Sequence, residues 1–319
     1  MVTKPSKTSS VQLIEISPAQ DGQRIDNFLL SLEKGVPKSR LYKAIRKGEV
    51  RVNKGRIKQT YKLQAGDLVR IPPLRIAAKA TIKTVSDYVR QQLNANILLE
   101  DNDLLIINKP SGMAVHAGSN IEQGIIEAMR IIRPELAYLE LVHRLDRETS
   151  GCLLFAKNRH ALLNLQTQLI SHDIDKRYLT LLKGNWFNGE RRVQQPLRKN
   201  SITSGERMVV IAEDGKEADS LFIPTRHYAD AQLTEVIIFT GRTHQIRVHA
   251  NYLDHPLAGD NKYGDRKFNT FMKQKGLKRL FLHAWKLTIT HPTTGETLPI
   301  EAALPNDLTS MLKQLEQAV

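Results

Sequence analysis

Residues 141–156 read Leu141-Val142-His143-Arg144-Leu145-Asp146-Arg147-Glu148-Thr149-Ser150-Gly151-Cys152-Leu153-Leu154-Phe155-Ala156. A dense polar cluster lies between two apolar pieces. The second piece, Cys152–Ala156, is short and unbroken and follows a glycine, the pattern of a strand buried on both faces. Asp146, between Arg144 and Arg147 at the lip of that strand, has two readings. One is a structural ion pair or a turn-capping aspartate. The other is chemical: nearby cations favour the ionised carboxylate, an ionised aspartate can be a nucleophile toward carbon, and arginine matches phosphate geometry bidentately.

Outward from this stretch the elements alternate. Asn158 caps a helix with Leu162, Leu165, Gln166 and Leu169 on one face. Upstream, Leu98-Leu99, the turn 100–103 and Leu104–Ile107 read strand, turn, strand. Gly124 precedes a helix with Ile125, Ile126, Met129 and Ile132 that stops at Pro134. Downstream, strands are expected at Tyr178–Leu182, Met208–Ala212, Ala218–Phe222, Leu233–Phe239, Gln245–His249 and Leu287–Thr290. Asp214-Gly215 and Thr294-Gly295 are hairpin turns. A last helix runs from Asn306 through Leu308, Met311, Leu312 and Leu315. Helices set among runs of consecutive strands imply an α+β fold on a largely antiparallel sheet.

The N-terminal part reads differently. The tail to Ser10 is polar and expected to be disordered. Val11–Ile16 alternates as a strand. Ile25, Phe28 and Leu29 fall on one helix face. A second helix opens at Pro37-Lys38-Ser39-Arg40, contains Leu41, Ala44 and Ile45, and stops at Lys47-Gly48. Val50 and Val52 alternate, Asn53-Lys54-Gly55 turns, and a strand follows at Leu68–Ile71. The expected organisation is a tail and strand over 1–21, a small α/β module over 22–75, a linker over 76–95 with weak periodicity, and a large domain over 96–319.

Charge separates the same regions. The 319-residue chain carries 47 Lys and Arg against 33 Asp and Glu, a net +14. Residues 22–75 alone hold 14 basic and 4 acidic residues. A charge run is often only a solvated face; concentrated in one module, it favours a polyanion such as RNA. With 41% apolar residues the chain can build a core. No apolar run approaches the ~18 residues of a membrane span, and no apolar segment follows Lys4 and Lys7 as in a secretory signal. A single cysteine, Cys152, excludes a disulfide framework and a cysteine-based zinc site. The expected location is a reducing cytoplasm.

Motifs for phosphate loops, dinucleotide folds and hydrolase elbows are missing, and the histidines lack common metal-ligand spacing, so no metal is expected. Three further polar stretches stand out. Gly241-Arg242-Thr243-His244-Gln245-Ile246-Arg247-Val248-His249, read as a strand, puts Gln245, Arg247 and His249 on one face. Lys176-Arg177-Tyr178 opens an apolar strand. Asn108-Lys109-Pro110-Ser111-Gly112-Met113-Ala114-Val115-His116 is a tight loop after a buried strand. Taken singly, each is as well explained by an exposed strand face, a rim tyrosine or a turn.

Together and in this order, these stretches resemble the RluA-type family of RNA pseudouridine synthases. The likeness rests on His143–Gly151, Lys176–Tyr178, Gly241–His249, Leu280–Ala284 and the His291–Gly295 turn, and runs from about Ile97 to Ile300. Residues 22–71 resemble an S4-type RNA-binding module, with Lys54 inserted where that module often has Asn-Gly directly. The resemblance implies a pseudouridine synthase fold and isomerisation of specific uridines to pseudouridine in large-subunit (23S) ribosomal RNA, without a cofactor; a monomer is the default expectation. It implies Asp146 as catalytic nucleophile, Arg247 as its basic partner, Tyr178 against the target base and Leu282 on the apolar side of the pocket. Arg144 would fill the gap left by a flipped-out uridine. Arg24, Lys38, Ser39, Arg40, Lys43 and Arg46 would contact RNA in the S4-like module. Attack at C1′, attack at C6 and charge stabilisation of a glycal are all open to Asp146. Two other functions share these features: a non-catalytic ribosome-assembly factor on the same scaffold, and an RNA N-glycosidase.

Overall fold

The computed structural model describes residues 11–33, 36–74, 84–118, 123–201 and 207–317. They divide into two compact units, one ending at Leu74 and one beginning at Thr84. The polar tail to Ser10 lies outside the described residues.

The first unit holds β1 (Gln12–Glu15), α1 (Ile25–Leu32), α2 (Lys38–Arg46), β2 (Arg51–Val52), β3 (Gly55–Arg56) and β4 (Leu68–Ile71). Its strands form an antiparallel sheet in the order β1-β4-β2-β3. The helical periodicity explains the packing: Ile25, Phe28 and Leu29 of α1 and Leu41, Ala44 and Ile45 of α2 are buried with Val52, Val69 and Ile71. Gly48 ends α2 with φ +70°, a left-handed conformation that glycine adopts without cost. In the β2–β3 hairpin, Asn53 and Lys54 both have positive φ, 50° and 68°. The two-residue turn thus has the handedness hairpins prefer, with lysine where glycine is favoured.

The second unit opens with α3 (Asp87–Ala95), β5 (Ile97–Glu100), β6 (Leu104–Lys109), α4 (Ile125–Ile132), β7 (Glu140–Leu141) and β8 (Ser150–Ala156). α5 (Arg159–Ile170), β9 (Asp175–Lys183), β10 (Arg191–Val193), β11 (Leu197–Ser201) and β12 (Arg207–Ile211) follow. Then come β13 (Ser220–His227), β14 (Ala231–Ile238), α6 (Gln245–Tyr252), α7 (Arg266–Gln274), β15 (Leu282–Thr290), β16 (Thr297–Glu301) and α8 (Asn306–Glu316). The large sheet runs β10-β13-β14-β9-β15-β8-β6-β5, with β16 on β15 and β7 on β8. Among the described residues every pairing in it is antiparallel except β15–β8, where His283 meets Ser150 and Ala284 meets Gly151. The α+β expectation with a largely antiparallel sheet holds.

The apolar run of β8 has a simple cause. Leu153 and Phe155 pack on the α4 side, and Leu154 and Ala156 on the α5 side. Both faces are covered, so no alternation is visible. Gly151 has φ +112°, and a Cβ there would lie 2.1 Å from the Ala284 carbonyl oxygen. Only glycine lets β8 and β15 approach at their parallel contact, next to the Asp146 loop.

Four expectations need correction. Residues 245–249 are helical, the start of α6, and Gln245 through Ala250 are all buried. Six consecutive buried residues show no helical period of burial; the alternation of Ile246 and Val248 is coincidental, and tertiary contacts outweigh local β propensity. The expected 76–95 linker contains α3. Ser86 caps it by accepting the Val89 N–H, and Leu93 is its buried residue. With one fully buried side chain in nine residues the periodicity was weak; residues 75–83 lie outside the described set. α7, absent from the expected elements, is capped by Asp265, which accepts the Phe268 N–H, and buries Phe268 and Met272. On α5 the buried residues are Ala161, Leu165 and Gln168, while Gln166 is exposed. Gln168 faces inward because its amide exchanges hydrogen bonds with the Thr290 backbone. Among the described residues, no helix is long and apolar enough to cross a membrane.

Candidate active site

Asp146 sits on the loop between β7 and β8, and that loop is tied to the one following β6. The fully buried Lys109 donates from Nζ to the carbonyls of Pro110 (2.9 Å), Arg147 (3.1 Å) and Thr149 (2.7 Å). The Gly112 N–H donates to the Arg147 carbonyl at 2.8 Å, Arg147 Nε returns a bond to the Gly112 carbonyl at 2.9 Å, and Ser111 Oγ donates to Glu148. Lys109 therefore sits among carbonyl oxygens. Burial pulls its pKa down to about 7, opposed by the charge of Asp146. Behind the loop, Ser150 Oγ lies 2.9 Å from His283 Nδ1, and His283 Nε2 lies 3.0 Å from the Ala302 carbonyl. The carbonyl can only accept, so His283 donates from Nε2 and accepts the Ser150 hydroxyl at Nδ1.

A cleft opens over Asp146, walled by Tyr178, Leu282, Ile238, His244 and Arg247, with Arg144 and Arg242 also in its lining. β9 places Tyr178 and the start of β15 places Leu282, and both are buried. Burial pushes the Tyr178 hydroxyl well above its ordinary pKa, with the Asp146 charge adding to the shift. The phenol is therefore neutral at physiological pH. Arg144 is exposed. The five expected residues of the large domain — Asp146, Tyr178, Arg247, Arg144 and Leu282 — thus meet in one place.

The partner expected for Arg247 is different. Its Nε and Nη2 each bond an oxygen of the Asp260 carboxylate at 2.7 Å, and both side chains are nearly inaccessible. Arg247 and Asp146 line the same cleft, and the Asp146 charge adds to that of Asp260 in raising the Arg247 pKa. Asp260 also accepts the N–H groups of Lys262 and Tyr263. Burial pushes its carboxyl pKa up, but the Arg247 hydrogen bonds and charge prevail and hold it below the usual carboxylate range. A titratable ring close to Asp146 is that of His244, whose Nε2 is 3.8 Å from Oδ2. Sequence reading had quoted His244 without a role, and it missed Asp260 and Tyr263; an acidic residue between Gly259 and Gly264 in a loop after α6 was the available signal.

In the first unit, α2 turns Leu41, Ala44 and Ile45 inward and leaves Lys38, Ser39, Lys43 and Arg46 exposed. Ser39, Lys43 and Arg46 follow helical spacing and share a face. Arg24 and Arg40 are already paired. Arg24 grips the buried Asp26 through two bonds of 3.1 and 2.8 Å, and Arg40 reaches Glu49 at 2.9 Å. Tyr42 Oη also donates to Asp26.

Among the described residues, one group of side chains has metal-like proximity: Asp101, Asp103 and His291. His291 Nδ1 accepts the N–H groups of Thr293 and Thr294, so its Nε2–H donates to Asp101 at 3.2 Å. A ring with both nitrogens committed in this way closes the 291–295 turn and offers no free lone pair.

Comparison with known proteins agrees with this arrangement. Residues 103–252 match the RNA pseudouridylate synthase family, and residues 23–69 match the S4 domain. The chain is 51% identical over 312 residues to ribosomal large subunit pseudouridine synthase C of Haemophilus influenzae, covering 97% of both chains. It is 50% identical over 317 residues to the protein of that name from Salmonella typhimurium, covering 98% of this chain and 99% of the relative. Among solved structures, human RNA pseudouridylate synthase domain containing 4 aligns with a TM-score of 0.60 at 25% identity, over 72% of this chain and 96% of the human one. A buried-strand scaffold, a loop carboxylate in a basic cleft and near full-length similarity to curated synthases converge: the chain belongs to the RNA pseudouridylate synthase family and is an S4-containing RNA pseudouridine synthase.

Proposed function

We propose that the enzyme isomerises specific uridines of large-subunit ribosomal RNA, with Asp146 as the nucleophile acting on a flipped-out uridine. The observation that carries this reading is the Asp146 carboxylate, held on a clamped loop and open to a cleft lined by Tyr178, Leu282 and arginines. The similarity to relatives named for the large subunit supports the substrate. In the reaction the N1–C1′ bond breaks with its electron pair left on N1, the uracil turns, C5 bonds to C1′, the C5 proton leaves and N1 gains a proton. Atoms and electrons balance within the substrate, so no cofactor enters. A target base inside a helix is inaccessible and must leave the stack. Tyr178 then stands against the base, and Leu282 supplies apolar contact. Arg144, exposed at the rim, fills the vacated place in the RNA, while Arg247 contributes positive charge to the same cleft. The exposed face of α2, with Lys38, Ser39, Lys43 and Arg46, contributes phosphate contacts that set affinity. The enzyme acts as a monomer in the cytoplasm.

The experiment is pseudouridine mapping of ribosomal RNA from cells with and without the gene, and from cells carrying Asp146→Asn. Specific sites should vanish without the gene and stay absent in the variant. Unchanged maps in the deletion strain would refute the substrate. Restoration by Asp146→Asn would refute the nucleophile and favour the assembly-factor reading.

A further inference from the structure

His244 precedes α6 with φ +56°, a left-handed backbone conformation uncommon for histidine. Its ring lies between two oxygens. Nδ1 is 2.8 Å from Tyr263 Oη, and Nε2 is 3.8 Å from Asp146 Oδ2. Tyr263 is buried, with its ring edge-on to the imidazole at 5.4 Å. Its hydroxyl oxygen accepts the Val209 N–H at 2.9 Å, from β12. The phenolic hydrogen then has His244 Nδ1 as the acceptor beside it. A neutral imidazole has one donor and one acceptor nitrogen. Accepting at Nδ1 puts the ring proton on Nε2, the nitrogen that faces Asp146. The opposite tautomer would leave the buried phenolic hydrogen without its acceptor, which is costly.

We infer that His244 is a positioning residue: Tyr263 and Val209 hold it in the tautomer whose Nε2–H faces Asp146, making it a fixed donor to that carboxylate. It is not the base that removes the C5 proton, because Nε2 already carries a proton and Nδ1 is engaged by Tyr263. Burial, with Arg247 and Lys262 nearby, keeps the ring neutral against the pull of Asp146 and Asp260. The 3.8 Å separation exceeds a hydrogen bond; such contacts commonly shorten when substrate occupies the site. Only the kinetic half of this inference rests on the proposed function.

The test uses two substitutions with opposite virtues. Asparagine tolerates the left-handed backbone and places polar atoms near the Nδ1 position, but has nothing at Nε2. Glutamine fits that backbone less well but carries an amide nitrogen to the reach of Nε2. If His244 matters only for backbone conformation, His244→Asn should outperform His244→Gln. If it is the donor, the order reverses: His244→Asn should lose about 10–100-fold in kcat, the size expected for a hydrogen bond to a charged group, with KM for RNA little changed. His244→Gln should recover most of that loss. Independently of turnover, nitrogen NMR of 15N-histidine-labelled protein should show the His244 ring protonated at Nε2, and its Nε2 resonance should move in Asp146→Asn. A ring protonated at Nδ1, an Nε2 resonance indifferent to Asp146→Asn, or kcat higher in His244→Asn than in His244→Gln would each overturn the inference. If the wild-type enzyme made no pseudouridine in large-subunit RNA, the proposed function would fail while the two NMR outcomes still decided this point.

Discussion

Arg247 and Asp260 meet fork to fork, with both nitrogen–oxygen distances at 2.7 Å, beneath the cleft that exposes Asp146. This makes Arg247 first a structural residue and only then an electrostatic one. Removing one partner of a buried pair strands the other charge, which typically costs about 3–5 kcal/mol. Arg247→Met should therefore lower stability by roughly that amount and lower activity with it. Asp260→Asn should do the same, while Arg247→Lys should retain part of both. Denaturant unfolding and turnover measured on one preparation check this; an Arg247→Met protein of normal stability but no activity would contradict it.

The same pair sets an acid limb. Asp260 titrates below the ordinary carboxylate range, so its contribution to stability is present above about pH 4, the unfolded value, and is lost as pH falls through the folded one. Asp26, lowered by its Arg24 hydrogen bonds, adds in the same direction in the first unit. Unfolding free energy should fall as pH drops below about 4. Asp260→Asn should flatten that slope in chemical denaturation followed from pH 5 to pH 2.5.

Lys109 gives a slope of the same sign at higher pH, because its charged form is the one that burial disfavours. Its pKa is depressed to about 7 in the folded protein. Between that value and the unfolded pKa near 10.4, the unfolded chain binds more protons, so stability rises with pH there. Lys109→Met should abolish this rise. It should also cost about 2–4 kcal/mol by leaving the carbonyls of Pro110, Arg147 and Thr149 without their donor. Thermal midpoints at pH 7 and pH 9.5 for the two proteins test both statements.

Asp146→Asn keeps the size of the side chain and removes its charge and nucleophilic oxygen. Asp146 is partly exposed, and His244 Nε2 lies 3.8 Å from its carboxylate, beyond hydrogen-bond distance, so the fold should tolerate the change to within about 0.5–1 kcal/mol. Turnover should fall to background while RNA affinity persists. Thermal midpoint, RNA binding and pseudouridine formation, measured together, separate this from a structural role.

Lys38, Lys43 and Arg46 lie exposed on α2. Replacing all three with alanine should raise KM on a large RNA fragment with kcat unchanged. If each contacts one phosphate, the log–log salt dependence of binding should become shallower by about 2. An unchanged salt slope would assign these residues to solvent.

The sequence by itself determined the elements whose burial is one-sided or whose ends are chemically marked. α1 and α2 were legible because Ile25, Phe28, Leu41 and Ile45 keep helical spacing. β8 was legible because an apolar run follows Gly151, and α5 because Asn158 caps it. The resemblance to the pseudouridine synthases also led to the expectation that Asp146, Tyr178, Leu282 and Arg247 meet, and they line one cleft. Tertiary structure alone decided the rest. The first six residues of α6 are all buried, so they carry no period, and their N-terminal end is held by the Gln245 amide bonding Thr240, Arg242, Asp219 and Ser220. The partner of Arg247 depended on a loop carboxylate at 260 that only folding brings near. The tautomer of His244 depended on a phenol at 263 and an amide at 209. Pairings across such sequence distances leave no local trace, because side-chain type records what a residue can bond and the fold alone selects which partner it reaches.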